Sequence, residues 1–115
     1  MKKFNELFNE HTGEGIIKWS NYGDIYDKHF APYRDQQINI LEIGVLRGGS
    51  MRMWEKYFPK ANVMMGNHHL SHLSYSYYTS PFKSASILSV DGVGEWDTTV
   101  MATGSPYGID THQSI

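Results

Sequence analysis

Apolar residues recur along this chain with two periods. Phe4, Leu7 and Phe8 share one face of a short amino-terminal helix. From about Ile17 to Phe30, Trp19, Tyr22, Tyr26 and Phe30 stand near helical spacing, which predicts a second helix with these aromatics in the core. Ile38-Asn39-Ile40-Leu41-Glu42-Ile43 is a short β-branched run stopped by Gly44, the pattern of a buried strand. Gly48 and Gly49 then predict a tight turn, with Ser50 as the N-cap of a helix through Met53, Trp54 and Tyr57 that ends before Pro59. Farther on, His68 to Tyr78 predicts a helix closed by Pro81, and Ala85 to Val90 a strand. Gly92 and Gly94 allow a turn into Thr98-Thr99-Val100-Met101, and Tyr107-Gly108-Ile109-Asp110 is a short strand ending in an acid. The expected class is α/β, with amino-terminal helices, a strand–glycine turn–helix unit, then a helix and a β-hairpin.

Length and charge narrow the function classes. A chain of 115 residues can bury one core but leaves no room for two complete nucleotide-handling domains. A net charge of −2 offers no basic face for a nucleic-acid backbone, and an aromatic content of 14% argues against disorder. Without cysteine there is no disulfide framework, thiolate zinc site or thiol nucleophile, so any metal must use His, carboxylate or water. The start Met1-Lys2-Lys3 lacks the apolar run of a signal peptide and no stretch reaches membrane-spanning length, which makes a cytoplasmic, membrane-free protein the expectation. Texture changes near Val63: residues 1–63 carry nine of the ten Lys and Arg, and the remainder only Lys83. That shift points to a composite chain.

A sharp turn after a buried strand leaves free N–H groups at the next helix start, and glycines let a ligand approach. Glu42 is then placed to bind a ligand hydroxyl or amine; the alternative is a simple strand–helix turn. The flanks add to the motif. Tyr26-Asp27-Lys28-His29-Phe30, Leu41-Glu42-Ile43-Gly44-Val45 and Trp54-Glu55-Lys56-Tyr57-Phe58-Pro59 together resemble the start of class I S-adenosylmethionine-dependent methyltransferases, in the branch of macrolide and sugar O-methylation, over about residues 12–63. The resemblance implies that Glu42, Gly44, Gly48 and Gly49 form the first cofactor motif, with the glycine loop under the methionine part of S-adenosylmethionine. It also implies an acid for the ribose hydroxyls soon after Ala61-Asn62-Val63. The matching Tyr107-Gly108-Ile109-Asp110 comes only after an apparent insertion of residues 64–106. If the strand pieces rejoin, Asp110 is that acid; otherwise it is a solvated acid near the terminus.

His68 and His72 lie four apart, so a helix places both imidazoles on one face, where they can chelate one ion, while His69 points elsewhere. A helical zinc protease would need glutamate after the first histidine, and His69 occupies that position. The run His68-His69-Leu70-Ser71-His72-Leu73-Ser74-Tyr75-Ser76-Tyr77-Tyr78 with Val90-Asp91-Gly92-Val93-Gly94-Glu95-Trp96-Asp97-Thr98-Thr99 resembles the amino-terminal domain of nodulation-type and antibiotic-pathway O-carbamoyltransferases, over residues 64–104. The resemblance implies that carbamoyl phosphate and ATP give a carbamoyl-adenylate, whose carbamoyl group moves to a hydroxylated acceptor. It also implies that His68, His72 and Asp91 bind a divalent metal, iron above all, which neutralises phosphate charge. A further aspartate ligand and the adenine-binding regions would lie outside these residues. Gly92 and Gly94 fit a turn whose amides face phosphate, or an ordinary hairpin turn. Glu95 and Asp97 read as solvated turn acids.

Three segments follow: 1–63 methyltransferase-like, 64–106 carbamoyltransferase-like, and 107–115 as a resumed methyltransferase-like strand. The leading expectation is a carbamoyltransferase fragment, incomplete alone and without an assignable catalytic residue. The alternatives are an S-adenosylmethionine-dependent methyltransferase fragment and a non-catalytic mosaic or binding module. A missing sheet would expose strand edges, so self-association is expected.

Overall fold

The computed structural model describes residues 1–115 and has mixed α/β structure. It divides into two compact units, Met1–Met65 and Gly66–Ile115.

The first unit contains α1 (Phe4–Asn9), α2 (Tyr22–Phe30), a 3-10 turn (Ala31–Tyr33), β1 (Asn39–Ile43), α3 (Gly49–Tyr57) and β2 (Asn62–Gly66), which runs one residue past the boundary. β1 and β2 pair in a two-stranded sheet. The Asn62 N–H donates to the Ile38 carbonyl at 2.9 Å, joining the start of one strand to the start of the other, as a strand–helix–strand unit requires. Phe4, Met53, Trp54, Tyr57 and Phe58 form the core, with Tyr26, Ile38, Ile40 and Val63 packed around it. Its aromatic rings meet at tilted and edge-on angles, with Phe4 and Tyr26 at 4.8 Å and Phe4 and Trp54 at 5.3 Å between centroids.

Several expectations for this unit are corrected: β1 is not a buried strand, with Leu41 and Ile43 59% and 56% exposed, and Tyr22 and Phe30 lie at the surface rather than in the core. The second helix starts at Tyr22 rather than Ile17, and Trp19 is 76% exposed instead of buried. The β-branched pair Ile16-Ile17 is a weak helix former. Its segment is used otherwise, with the Glu14 and Gly15 carbonyls resting against the bare Cα of Gly49, where a Cβ would collide. Ser50 is not the N-cap of α3. Gly48 is, at φ 83°, a left-handed conformation that favours glycine, and its carbonyl accepts from Arg52 N–H.

Asp27 and Tyr57 join the three helices. Tyr57 is fully buried; its hydroxyl donates to Asp27 Oδ1 at 2.7 Å, and the same carboxylate accepts the Phe4 N–H at the start of α1. Arg34 closes the cluster from the other side, donating from Nε to the Tyr57 carbonyl while its guanidinium lies 4.0 Å from the Tyr57 ring centroid.

The second unit is α4 (His68–Tyr78) packed on an antiparallel sheet of β3 (Ala85–Gly94), β4 (Asp97–Ser105) and β5 (Gly108–Ser114), in that order. The Asn67 side chain caps α4 by accepting the Leu70 N–H at 2.8 Å. Leu73 and Tyr77 from α4 meet Ile87, Val100 and Ala102 from the sheet. The pairs Ile87↔Ala102 and Ser89↔Val100 put those residues on the helix-covered face. The paired Leu88 and Met101, with Val90, carry apolar surface that stays exposed.

Here too the structure departs from expectation. β3 continues through Gly92 to Gly94, and the turn is Glu95-Trp96; the ladder is irregular between Val90 and Gly94. Residues 107–110 do not resume the strand of β2. They enter β5, where Asp110 pairs with Thr103 of β4. A two-residue link, Pro106-Tyr107, makes a local antiparallel return the short connection.

Burial and the Asp27 hydrogen bond push the Tyr57 hydroxyl well above its ordinary value. The unfolded chain ionises this residue near pH 10, so the stability it provides is full below that pH and is lost as pH rises. Tyr57→Phe should cost about 1 kcal/mol at about pH 8. The gap to wild type should narrow toward about pH 11, as read from denaturant unfolding followed by Trp54 fluorescence.

Candidate functional site

The His69, Leu73, Tyr77 stripe of α4 is buried, which decides where its other faces point. His69 serves as a clamp. Its Nε2 lies 2.8 Å from the Asp97 carbonyl, which can only accept, so Nε2 carries a proton. In the neutral ring Nδ1 then accepts from the Ser89 hydroxyl at 2.9 Å. With that stripe fixed, His68 and His72 stand together beside the sheet and meet Asp91 of β3. His68 Nε2 lies 2.5 Å from Asp91 Oδ2, His72 Nε2 lies 3.5 Å from the same oxygen, and the two Nε2 atoms are 3.1 Å apart.

The hydrogen bond from His68, reinforced by the Gly92 N–H, holds the Asp91 carboxyl below its ordinary range. Ligand atoms bound at about 2.0–2.2 Å to one ion lie roughly 3.0–3.5 Å from one another, depending on geometry. Two edges of the observed triangle meet that spacing, and the third is a short hydrogen bond that an ion would replace. The donor set of two imidazoles and one carboxylate suits zinc, iron or a similar divalent ion, so the residues fit a metal.

The glycines beside Asp91 have local tasks. The Gly92 N–H donates to Asp91 Oδ1 at 2.6 Å, and Gly94 is buried under the histidines, where a Cβ would collide with the His68 ring and stand 2.8 Å from His69 Nε2. Glu95 is no free turn acid: it accepts from the Asn67 side-chain amide at 3.2 Å and faces the His68 N–H at 3.4 Å.

In the first unit Glu42, Gly44, Gly48 and Gly49 line a cavity of about 100 Å³, together with Gly15, Ile16 and Lys18. Gly44 and Gly48 both have left-handed backbones. Glu42 pairs with Lys18 at 2.8 Å, the two side chains 14% and 19% exposed, and its Oε2 is buried without a hydrogen-bond partner. The cavity is smaller than the roughly 300 Å³ at which drug-sized ligand sites begin. Asp110 stands exposed on β5 of the second unit.

Lys18, His69 and Glu95 were not legible as site residues. His69 did carry a signal: residues 69, 73 and 77 repeat every fourth position, an apolar stripe with the histidine on it.

A helix-borne histidine pair facing a strand carboxylate, and a glycine turn after a strand, are parts from which phosphate- and nucleotide-handling transferases are built. The chain belongs to the carbamoyltransferase N-terminus family, whose model matches residues 24–115. That match reaches past residues 64–104 to include β1, the glycine turn and α3.

Curated relatives bring a second likeness. The chain is 41% identical over 56 residues to mycinamicin VI 2''-O-methyltransferase of Micromonospora griseorubida, covering 43% of this chain and 14% of that protein. It is 41% identical over 58 residues to 8-demethyl-8-alpha-L-rhamnosyl tetracenomycin-C 2'-O-methyltransferase of Streptomyces olivaceus, covering 43% of this chain and 15% of that protein. Over 53 residues it is 38% identical to an uncharacterized protein of a Synechocystis strain, covering 46% of this chain and 9% of that one. The chain thus spans under a sixth of the length of each of these three relatives.

The Lys18–Glu42 pair generates a test. Lys18→Met leaves the carboxylate uncompensated among partly buried groups and should destabilise the chain by about 2 kcal/mol, discounted for residual exposure. Adding Glu42→Gln should restore most of that loss in a double-mutant cycle.

Proposed function

We propose that this chain supplies the metal- and phosphate-handling start of an O-carbamoyltransferase, in which a carbamoyl group from carbamoyl phosphate is transferred, with ATP, to a hydroxyl of a small-molecule acceptor. The observation that carries this reading is the convergence of the ligand atoms of His68, His72 and Asp91 within 4.8 Å of one another, inside the family match. In this role the two Nε2 atoms and Asp91 Oδ2 hold a divalent ion, with iron the favoured candidate. The bound ion supplies Lewis-acid charge that draws and orients phosphate oxygens. Around it, His69 fixes the helix on the sheet, and the Gly92 N–H holds Asp91 Oδ1 so that Oδ2 faces the histidines. Acceptor binding and adenylate formation need residues outside these three ligands, so the chain alone is proposed to bind rather than turn over.

A second reading has one specific observation behind it: the unpartnered Glu42 Oε2 in the glycine-lined cavity is an acceptor available to a cationic or hydroxyl-bearing ligand. That favours residual S-adenosylmethionine binding by the first unit. The cavity's size weighs against a complete cofactor site. A non-catalytic binding module is the third reading and the one left if neither ligand binds.

Calorimetric titration with Fe²⁺ under argon, or with Zn²⁺, should show one ion per chain, lost in His68→Ala and His72→Ala. No heat and no shift in unfolding temperature at saturating metal would end the carbamoyltransferase metal reading, because a ligand specific for the native state must stabilise it. S-adenosylmethionine in the same assay tests the second reading, with Gly44→Val as the control.

Self-association is also proposed, through the sheet of the second unit. Its outer strands β3 and β5 have open edges, and Leu88 and Val90 are 61% and 69% exposed. Light scattering should give a mass that rises with concentration, and Leu88→Lys should flatten the rise; a constant monomer mass for wild type would refute it.

A further inference from the structure

We propose that Glu95 is a positioning residue for the His68–His72–Asp91 cluster: presented by the two-residue β3–β4 turn, its carboxylate fixes the first residue of α4 and thereby the His68 imidazole. The inference rests on the metal-binding reading and adds to it the part of the chain that sets the spacing between helix and hairpin.

Glu95 Oε2 accepts from Asn67 Nδ2 at 3.2 Å and receives the His68 N–H at 3.4 Å. Asn67 is the N-cap of α4 and His68 its first residue, so the carboxylate grips the helix start at two successive residues. The His68 N–H is one of the four donors that a helix leaves without an internal partner, and a negative charge there is favoured by the helix dipole.

The backbone supports the same conclusion. Glu95 is the one non-glycine residue with positive φ, at 65°, a conformation that residues with a side chain seldom adopt. An observed outlier of this kind is a reason to ask what it achieves. Here it turns the carboxylate back toward α4.

The preceding residue works on the other side of His68. Gly94 lies so close to the His68 ring that a Cβ would collide with Cδ2. The turn therefore holds His68 twice, through a carboxylate on its backbone and a bare Cα against its ring. Asp91, the carboxylate ligand, sits on the same hairpin end, where the ladder is irregular between Val90 and Gly94 and pairing across the sheet does not set its place. Glu95 links helix and hairpin where both contribute ligands.

The test is Co²⁺ titration of the full chain, read by affinity and by the visible d–d spectrum, for wild type, Glu95→Ala and Glu95→Gln. Glu95→Ala should weaken Co²⁺ binding about tenfold or more and change the band shape, and Glu95→Gln, which keeps an acceptor oxygen in place, should recover most of both. If Glu95→Ala does not fold, Glu95→Asp, with its carboxylate drawn back by one methylene, takes its place with the same expectation. Wild-type affinity and spectrum in the folded variant would overturn the proposal while leaving the metal site standing. Absence of Co²⁺ binding by wild type would overturn the metal reading, and this proposal with it.

Discussion

The second unit depends on one requirement, that α4 bury the stripe of His69, Leu73 and Tyr77. The three residues share a face because they are four apart, and they pack on Ile87, Val100 and Ala102. Once that stripe is down, the rotation of the helix is no longer free, and the stripe displaced by one residue, His68 and His72, stands at the sheet's flank. The buried histidine adds a polar constraint to an apolar one. A leucine at position 69 would bury similar area, but it would leave the Asp97 carbonyl and the Ser89 hydroxyl without the partner they have. An unmade buried hydrogen bond costs about 1–3 kcal/mol, enough to make a slip of the helix along the sheet unfavourable. The candidate ligand pair is thus placed by a core residue that is not itself one of the three candidate ligands.

In the first unit the corresponding constraint is close approach rather than hydrogen bonding. Gly49 lacks the Cβ that would exclude the Glu14 and Gly15 carbonyls, so residues 14–18 cross the glycine turn and bring Lys18 to Glu42. Ile17–Asn21 is not helix, and Trp19 is exposed.

What the sequence disclosed follows the range of the interactions. The helix of residues 68–78, the strand of residues 39–43 and the convergence of His68, His72 and Asp91 rest on spacing within an element or on a long resemblance, and those were legible. The α2 start, the α3 cap and the β3–β4 turn were displaced, because each depends on partners distant in the chain. Lys18 and Glu42 are 24 residues apart. Glu95 and His68 are separated by 27. Neither pair leaves a periodic trace. Asp110 shows the same limit from the other side: its local motif matched a strand end, while the available antiparallel edge of β4 decided its place.

The two candidate sites differ in what a ligand has to displace. At the glycine turn, Glu42 is already neutralised by Lys18 in a cavity of about 100 Å³, so an arriving ligand must break or share an ion pair and make room for itself. Desolvating that pair further costs free energy before any new contact forms. At the histidine cluster the three donor atoms already converge, and His68 and the Gly92 amide lower the Asp91 pKa by favouring its charged form. An ion held there by His68, His72 and Asp91 would take the place of the His68–Asp91 hydrogen bond. Preorganisation on that scale is the physical reason to rank the proposed carbamoyltransferase reading above the methyltransferase one.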